Sequence, residues 1–141
     1  MRFWDCSALL PLLVAERATS WARSLLRRDP EIVAWWGTEV ECVSALSRVE
    51  REDPRSAPAV REALTRLDRM RDTWYEVQPL AAVREIARRL LRVHPLRGGD
   101  ATQLAAAIVA AEDRPATLEL VTLDLRMREA AAREGFPLAP R

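Results

Sequence analysis

Short apolar runs at residues 1–5, 31–36, 74–77, 118–122 and 136–138 alternate with longer stretches whose apolar residues recur at helical spacing. No other feature restricts the possible folds as strongly. Strands separated by helices pair in parallel, and a parallel sheet must be covered on both faces. The expected architecture is therefore α/β, with a parallel sheet of four or five strands.

The helical stretches have readable limits. Residues 7–28 carry Leu9, Leu10, Leu13, Val14, Trp21 and Leu25 on one stripe and read as a single helix. Pro11 falls in its first turn or so, where proline is tolerated, and Asp29-Pro30 stops it. Gly37-Thr38 turns into a second helix with Val40, Val43, Leu46 and Val49, which ends near Asp53-Pro54. Residues 56–72 alternate Arg and acid around Val60, Leu64 and Leu67, the pattern of an added helical arm with a solvated face. Another helix over 80–93 is closed by His94-Pro95, and Gly98-Gly99 breaks the chain before an alanine-rich helix over 101–111. The final helix, over 125–133, is capped by Gly135.

At 141 residues the chain is the size of one domain, read as spanning 1–141, and can bury a core without disulfides. Its 49% apolar and 30% charged content excludes a disordered chain. No apolar run approaches the ~20 residues of a membrane span. The opening Met1-Arg2-Phe3-Trp4-Asp5 lacks the basic start of a secretory signal, so a cytoplasmic protein with no membrane association is expected. Cys6 and Cys42 lack metal-binding spacing and read as small buried hydrophobes. The net charge of +1 gives no overall field to attract nucleic acid, so any such binding needs local patches. All 22 basic residues are Arg, a bias that a GC-rich genome produces, although the guanidinium fork does suit phosphate.

Four acids, Asp5, Glu41, Asp100 and Asp124, sit where a strand or turn passes into a helix. In open parallel sheets, loops beyond the carboxyl ends of the strands converge into a crevice, so the four could meet there. Taken singly, three of them also have capping explanations. Thr38 and Glu41 have capping-box spacing, Asp100 and Gln103 resemble another such box, and Asp124 could cap the last helix. Ser7 is the natural cap of the first helix, which leaves Asp5 at a strand end with no helix N–H assigned to it. An uncompensated buried carboxylate is costly. If the four converge, their repulsion raises some pKa values or demands a cation, and oxygen-only ligands favour Mg²⁺ or Mn²⁺ over zinc. A metal so held permits phosphodiester hydrolysis without a protein nucleophile. The single histidine, His94, stands beside a proline and reads as a surface residue, which argues against a histidine-centred triad.

Four ordered stretches surround these acids: Trp4-Asp5-Cys6-Ser7-Ala8-Leu9, residues 38–46, residues 99–107, and Val121-Thr122-Leu123-Asp124 followed by Ala130-Ala131 and Gly135-Phe136. Together they resemble the PIN-domain ribonucleases, and in particular the VapC-type toxins of bacterial toxin–antitoxin pairs. The resemblance implies a three-layer α/β/α sandwich and metal-dependent endonucleolytic cleavage of RNA. Asp5, Glu41, Asp100 and Asp124 match the metal-binding acidic quartet, and Ser7 and Thr122 match the polar residues beside it. Glu41 is chosen over Glu39 because the following Val-Ser-Ala-Leu frame fits the family pattern. By the same resemblance, the site would receive a segment of a cognate antitoxin, and the toxin would pair as a homodimer.

RNA needs cationic contacts, and Arg55, Arg61, Arg66, Arg69 and Arg71 on the arm, with Arg84, Arg88, Arg89, Arg92 and Arg97 after it, are the candidates. Neighbouring acids offset many of them, which leaves solvated helix faces as the alternative. Of Trp35 and Trp36, one belongs to the core, while the other, or Trp74, could stack a base. Two rival functions stay open: a PIN-like scaffold that binds RNA or protein without cleavage, and an aspartyl-phosphate enzyme built on Asp5. The second would want another acid at position 7 and a nearby lysine, and this chain has Ser7 and no lysine.

Overall fold

The computed structural model describes residues 1–140. Four short strands, β1 (Arg2–Trp4), β2 (Ile32–Trp35), β3 (Tyr75–Val77) and β4 (Glu119–Val121), form a wholly parallel sheet in the order β3-β2-β1-β4. Seven helices cover it: α1 (Cys6–Leu13), α2 (Thr19–Arg28), α3 (Thr38–Glu52), α4 (Ala57–Arg71), α5 (Ala81–Val93), α6 (Gly98–Ala110) and α7 (Leu125–Arg133).

Alternation along each strand divides the core in two. Phe3, Val33, Trp35 and Leu120 face α5, α6 and α7, whereas Trp4, Ile32, Ala34 and Val121 face α1 to α4. Because both faces are covered, β2 has no exposed position, as the continuous apolar run Ile-Val-Ala-Trp requires. The arm helix, α4, packs Val60, Ala63 and Leu67 into the second of these clusters, so its apolar stripe completes a layer. Gly37 lets Trp35 fold back, since a Cβ there would lie 2.5 Å from the indole Nε1. No helix among the described residues is long and apolar enough to cross a membrane.

Several boundaries differ from the sequence reading. The expected helix over 7–28 is two helices. Pro11 sits in the second half of α1, where it lacks an N–H to donate, and Thr19 fixes the break. Its hydroxyl donates to the Pro11 carbonyl at 2.8 Å and accepts the Glu16 N–H at 2.9 Å. Gly98 and Gly99 do not break the chain but form the first turn of α6. The strand expected near 136–138 is reduced to one bridge, Leu120 to Leu138, because Pro137 brings no N–H and the ladder cannot extend through it. His94 is buried instead of exposed: its Nε2 meets Glu134 Oε1 at 2.7 Å beneath the end of α5. Trp74 is core, with its N–H 3.3 Å from Glu76, while Trp36 is half exposed.

Candidate metal centre

Asp5 follows β1 directly and Asp124 lies just beyond β4, so two neighbouring strands deliver carboxylates to the same end of the sheet. Glu41 comes from the first turn of α3 and Asp100 from the first turn of α6. All four line one cleft of about 670 Å³. Glu39, one residue before the exposed Val40, does not contribute to its wall.

Asp5 is the most buried of the four, and its surroundings are the most constrained. It is the N-cap of α1, a role the sequence assigned to Ser7: its Oδ2 accepts the Ser7 N–H at 3.3 Å. The same oxygen also accepts the Ser7 hydroxyl and, at 2.9 Å, the Thr122 hydroxyl. Those two hydroxyls in turn accept backbone N–H groups beyond β4, Ser7 from Leu123 at 2.9 Å and Thr122 from Asp124 at 3.1 Å. Ser7 and Thr122 thus tie the ends of β1 and β4 together through one carboxylate oxygen. Among the described residues, Oδ1 accepts no hydrogen bond.

The same division recurs at the other acids. Asp124 caps α7, its Oδ1 accepting the Met127 N–H at 2.7 Å, and Oδ2 is left over. Glu41 Oε2 accepts the Gln103 side-chain N–H at 3.0 Å, while Oε1 lies where a Cβ on Gly99 would come within 3.7 Å. The capping box expected from Thr38 and Glu41 is not formed, because Gly37 is the N-cap and Thr38 is already helical. Thr38 instead donates to Gln103 Oε1 at 3.3 Å. Gln103, fully buried on the alanine-rich α6, therefore holds Glu41 of α3 from a neighbouring helix. Sequence reasoning paired Gln103 with Asp100 and missed this role. Its one visible sign was a polar side chain on an otherwise apolar helical face.

Burial pushes Asp5, Glu41 and Asp100 above their ordinary carboxylate values. Hydrogen bonds from Ser7 and Thr122 oppose the rise at Asp5, and the one from Gln103 opposes it at Glu41. Negative neighbours add to it: Asp100 acts on Asp5, Asp5 and Asp100 act on Glu41, and Asp124 acts on Asp100. The four acids therefore sense one another electrostatically. No three of them close into a ligand cluster among the described residues.

The donor set suits a hard cation. Its members are carboxylates, each of the three described above keeps one oxygen outside the chain's own hydrogen bonds, and none has an ion pair to an arginine among the described residues. The thiols nearby do not serve as soft ligands: Cys6 and Cys42 are buried with their sulfurs 3.4 Å apart. Contact with Cys42 and burial push the Cys6 thiol far up.

No family model matches the chain. It is similar to two curated proteins of Mycobacterium tuberculosis, Ribonuclease VapC45 and Ribonuclease VapC49, each 29% identical over 147 aligned positions that cover 98% of this chain and 94% of theirs. Among solved structures it resembles a toxin–antitoxin complex from Klebsiella pneumoniae, with a TM-score of 0.63 and 20% identity. It also resembles FitAcB from Neisseria gonorrhoeae, with a TM-score of 0.61 and 14% identity. Each likeness covers 99% of this chain and 97% of the other. The two structural likenesses show the fold, the α/β/α sandwich on a parallel sheet.

Proposed function

We propose that this chain, a relative of the VapC-type PIN-domain ribonucleases, is an Mg²⁺- or Mn²⁺-dependent endoribonuclease toxin whose metal is held by Asp5, Glu41, Asp100 and Asp124. The observation that carries this reading is the convergence of four carboxylates on one cleft wall, three of them raised in pKa by burial and by one another. A metal bound there would polarise a phosphoryl oxygen and lower the pKa of an attacking water. The chain's part is to hold the carboxylates still. Ser7 and Thr122 lock Asp5 through Oδ2, Gln103 orients Glu41, and the Met127 N–H fixes Asp124. Orientation of this kind from behind the ligands is what sets metal affinity in other metal sites.

By the same relationship the partners are an RNA substrate, a cognate antitoxin that occupies the cleft, and a second copy of the chain, in the cytoplasm. A non-catalytic scaffold is the competing reading, favoured by the capping bonds that Asp5 and Asp124 make. Incubating purified, antitoxin-free protein with a mixed RNA pool in Mg²⁺, Mn²⁺ or EDTA, beside an Asp5→Asn variant, separates the two. The nuclease gives discrete fragments that need metal and vanish with the substitution. RNA bound in EDTA and never cut would leave the acids as caps.

A further inference from the structure

The 22 basic residues are not equally available to a ligand. Arg2 pairs with Glu119, Arg55 with Asp53, Arg71 with Asp72, Arg89 with Glu134 and Arg114 with Glu112. Arg66 donates to the Leu13 carbonyl at 2.7 Å and Arg128 to the Ala139 carbonyl at 3.1 Å. Several of the arginines that the sequence offered for RNA are thus occupied within the chain.

Four exposed arginines differ from these in position. Arg48 and Arg51 line the acidic cleft from α3, and Arg97 lines it from the residue before α6. A second concavity of about 490 Å³ adjoins the cleft, shares Arg97, Asp100 and Asp124 with it, and adds Arg126 from the first turn of α7. Helical spacing explains the placement on α3: residues 41, 44, 48 and 51 fall on one face, so the helix that presents Glu41 carries Arg48 and Arg51 onward along the same wall. No guanidinium of the four makes a hydrogen bond or ion pair among the described residues, although the Arg97 backbone does hydrogen-bond to Asp100. Their charges do reach the site, since Arg97 and Arg126 partly offset the rise at Asp100. Arg48 and Arg51 thus line only the first concavity and Arg126 only the second, while Asp100, Asp124 and Arg97 are common to both.

We propose that Arg48 with Arg51, and Arg97 with Arg126, are two phosphate-anchoring pairs that hold a single RNA strand on either side of the phosphate placed over the four acids. This rests on the ribonuclease reading above and supplies what that site lacks. The acids repel a polyanion unless flanking cations draw it in, and a strand held on both sides presents its middle phosphate to the carboxylate-held metal. The guanidinium can take phosphate oxygens bidentately, which positions as well as attracts.

The test measures binding of a fluorescently labelled single-stranded RNA in EDTA as salt is raised, for wild type, R48A/R51A, R97A/R126A and a control on α4, R61A/R69A. All six positions are exposed, so the fold should survive, and thermal melting checks it. Each cleft pair should weaken binding roughly tenfold or more, from the loss of charged hydrogen bonds. The slope of log affinity against log salt should fall by about 1.4, at ~0.7 per phosphate contact on a single strand. The control should stay within about twofold, the size of an exposed-charge effect. Under Mg²⁺ turnover, both pairs should raise KM more than they lower kcat. RNA truncated on one side of the cut should remain sensitive to one pair only.

Cleft variants that bind with wild-type affinity and slope would overturn the proposal, as would a loss confined to the α4 control. Loss of antitoxin binding with RNA binding intact would also overturn it, assigning the arginines to a protein interface. Failure of the nuclease reading looks different: wild type would not cut RNA in either metal, while binding in EDTA still depended on both pairs.

Discussion

Glu134 and the four acids of the cleft show how differently one chain can treat a carboxylate. Glu134, at the end of α7, receives a bidentate guanidinium from Arg89 on α5, with N–O distances of 3.0 and 2.7 Å, and the ring of His94 at 2.7 Å. Arg89 and His94 together outweigh burial and hold Glu134 below its ordinary value. Asp5, Glu41 and Asp100 are displaced in the opposite direction, by burial first and by negative neighbours in addition. Glu134 is neutralised within the fold and therefore holds it together. The site acids are oriented by hydroxyl, amide and backbone groups but make no ion pair among the described residues, and Arg97 and Arg126 only partly offset the rise at Asp100. This arrangement costs the fold stability, a cost that a bound cation or cationic group would relieve.

The largest effect should come from removing the charge itself. Asp5→Asn and Glu41→Gln each keep side-chain size but remove the negative charge proposed to hold the metal, so metal-dependent cleavage should drop at least about 10²-fold, beyond the cost of losing a supporting residue. Glu39→Gln, off the cleft wall, should cut at close to the wild-type rate. The reverse result for the two glutamates would move the fourth ligand to position 39.

A smaller loss is expected from the groups that only orient. Thr122→Val removes the 2.9 Å hydrogen bond to Asp5 and the acceptor for the Asp124 N–H while keeping shape. Activity at saturating metal should fall about 10- to 100-fold, and the half-saturating Mg²⁺ concentration should rise. If only thermal stability changed, Thr122 would be a strut between β1 and β4 and nothing more.

The distinction between these two kinds of acid was only half visible in the sequence. The strand–helix alternation and the acids at its junctions were legible because both are local: period, turn residues and chain order are written in neighbouring positions. What decides each acid's role lies far away in the chain. Thr38 and Glu41 have capping-box spacing, yet with Gly37 as the N-cap they turn to Gln103, 62 residues beyond Glu41. Ser7 has the composition of a cap, but Thr122 draws its neighbour Asp5 into a network that joins two strand ends, and Asp5 caps the helix itself. His94, beside a proline, carries no local sign that Glu134 will bury it, and the break between α1 and α2 depends on a Thr19 hydroxyl reaching back to Pro11.

On the neutralised side, Glu134→Gln should leave cleavage unchanged and cost stability instead. It weakens the fork to Arg89 and the bond to the buried His94, a loss of about 1–3 kcal/mol for a charged hydrogen-bonded group, reduced by the half-exposure of Arg89. Chemical denaturation reads this directly. A variant as stable as wild type would mean that solvent already screens the pair.

The finest test is the sign of the pH dependence without metal. Asp5, Glu41 and Asp100 bind protons more tightly in the folded chain than at their ordinary values of 3.8, 4.5 and 3.8. Their contribution is therefore most favourable below those values and erodes as pH rises through them and through the raised folded values. Glu134 runs the other way: lowered from 4.5, it contributes stability that is present above that value and is lost as pH falls through its folded value. In EDTA, Asp100→Asn should melt higher than wild type at pH 7, by roughly 3–5 °C for each kcal/mol relieved, with the gap closing towards pH 4. Glu134→Gln should melt lower at pH 7, with its own gap narrowing as the medium becomes acidic. Added Mg²⁺ should raise the wild-type midpoint more at pH 7 than at pH 5, because protons and the cation compete for the same oxygens. An Asp100→Asn midpoint that tracked wild type at every pH would mean that the repulsion among the acids is already screened by solvent, and the contrast with Glu134 would then rest on hydrogen bonding alone.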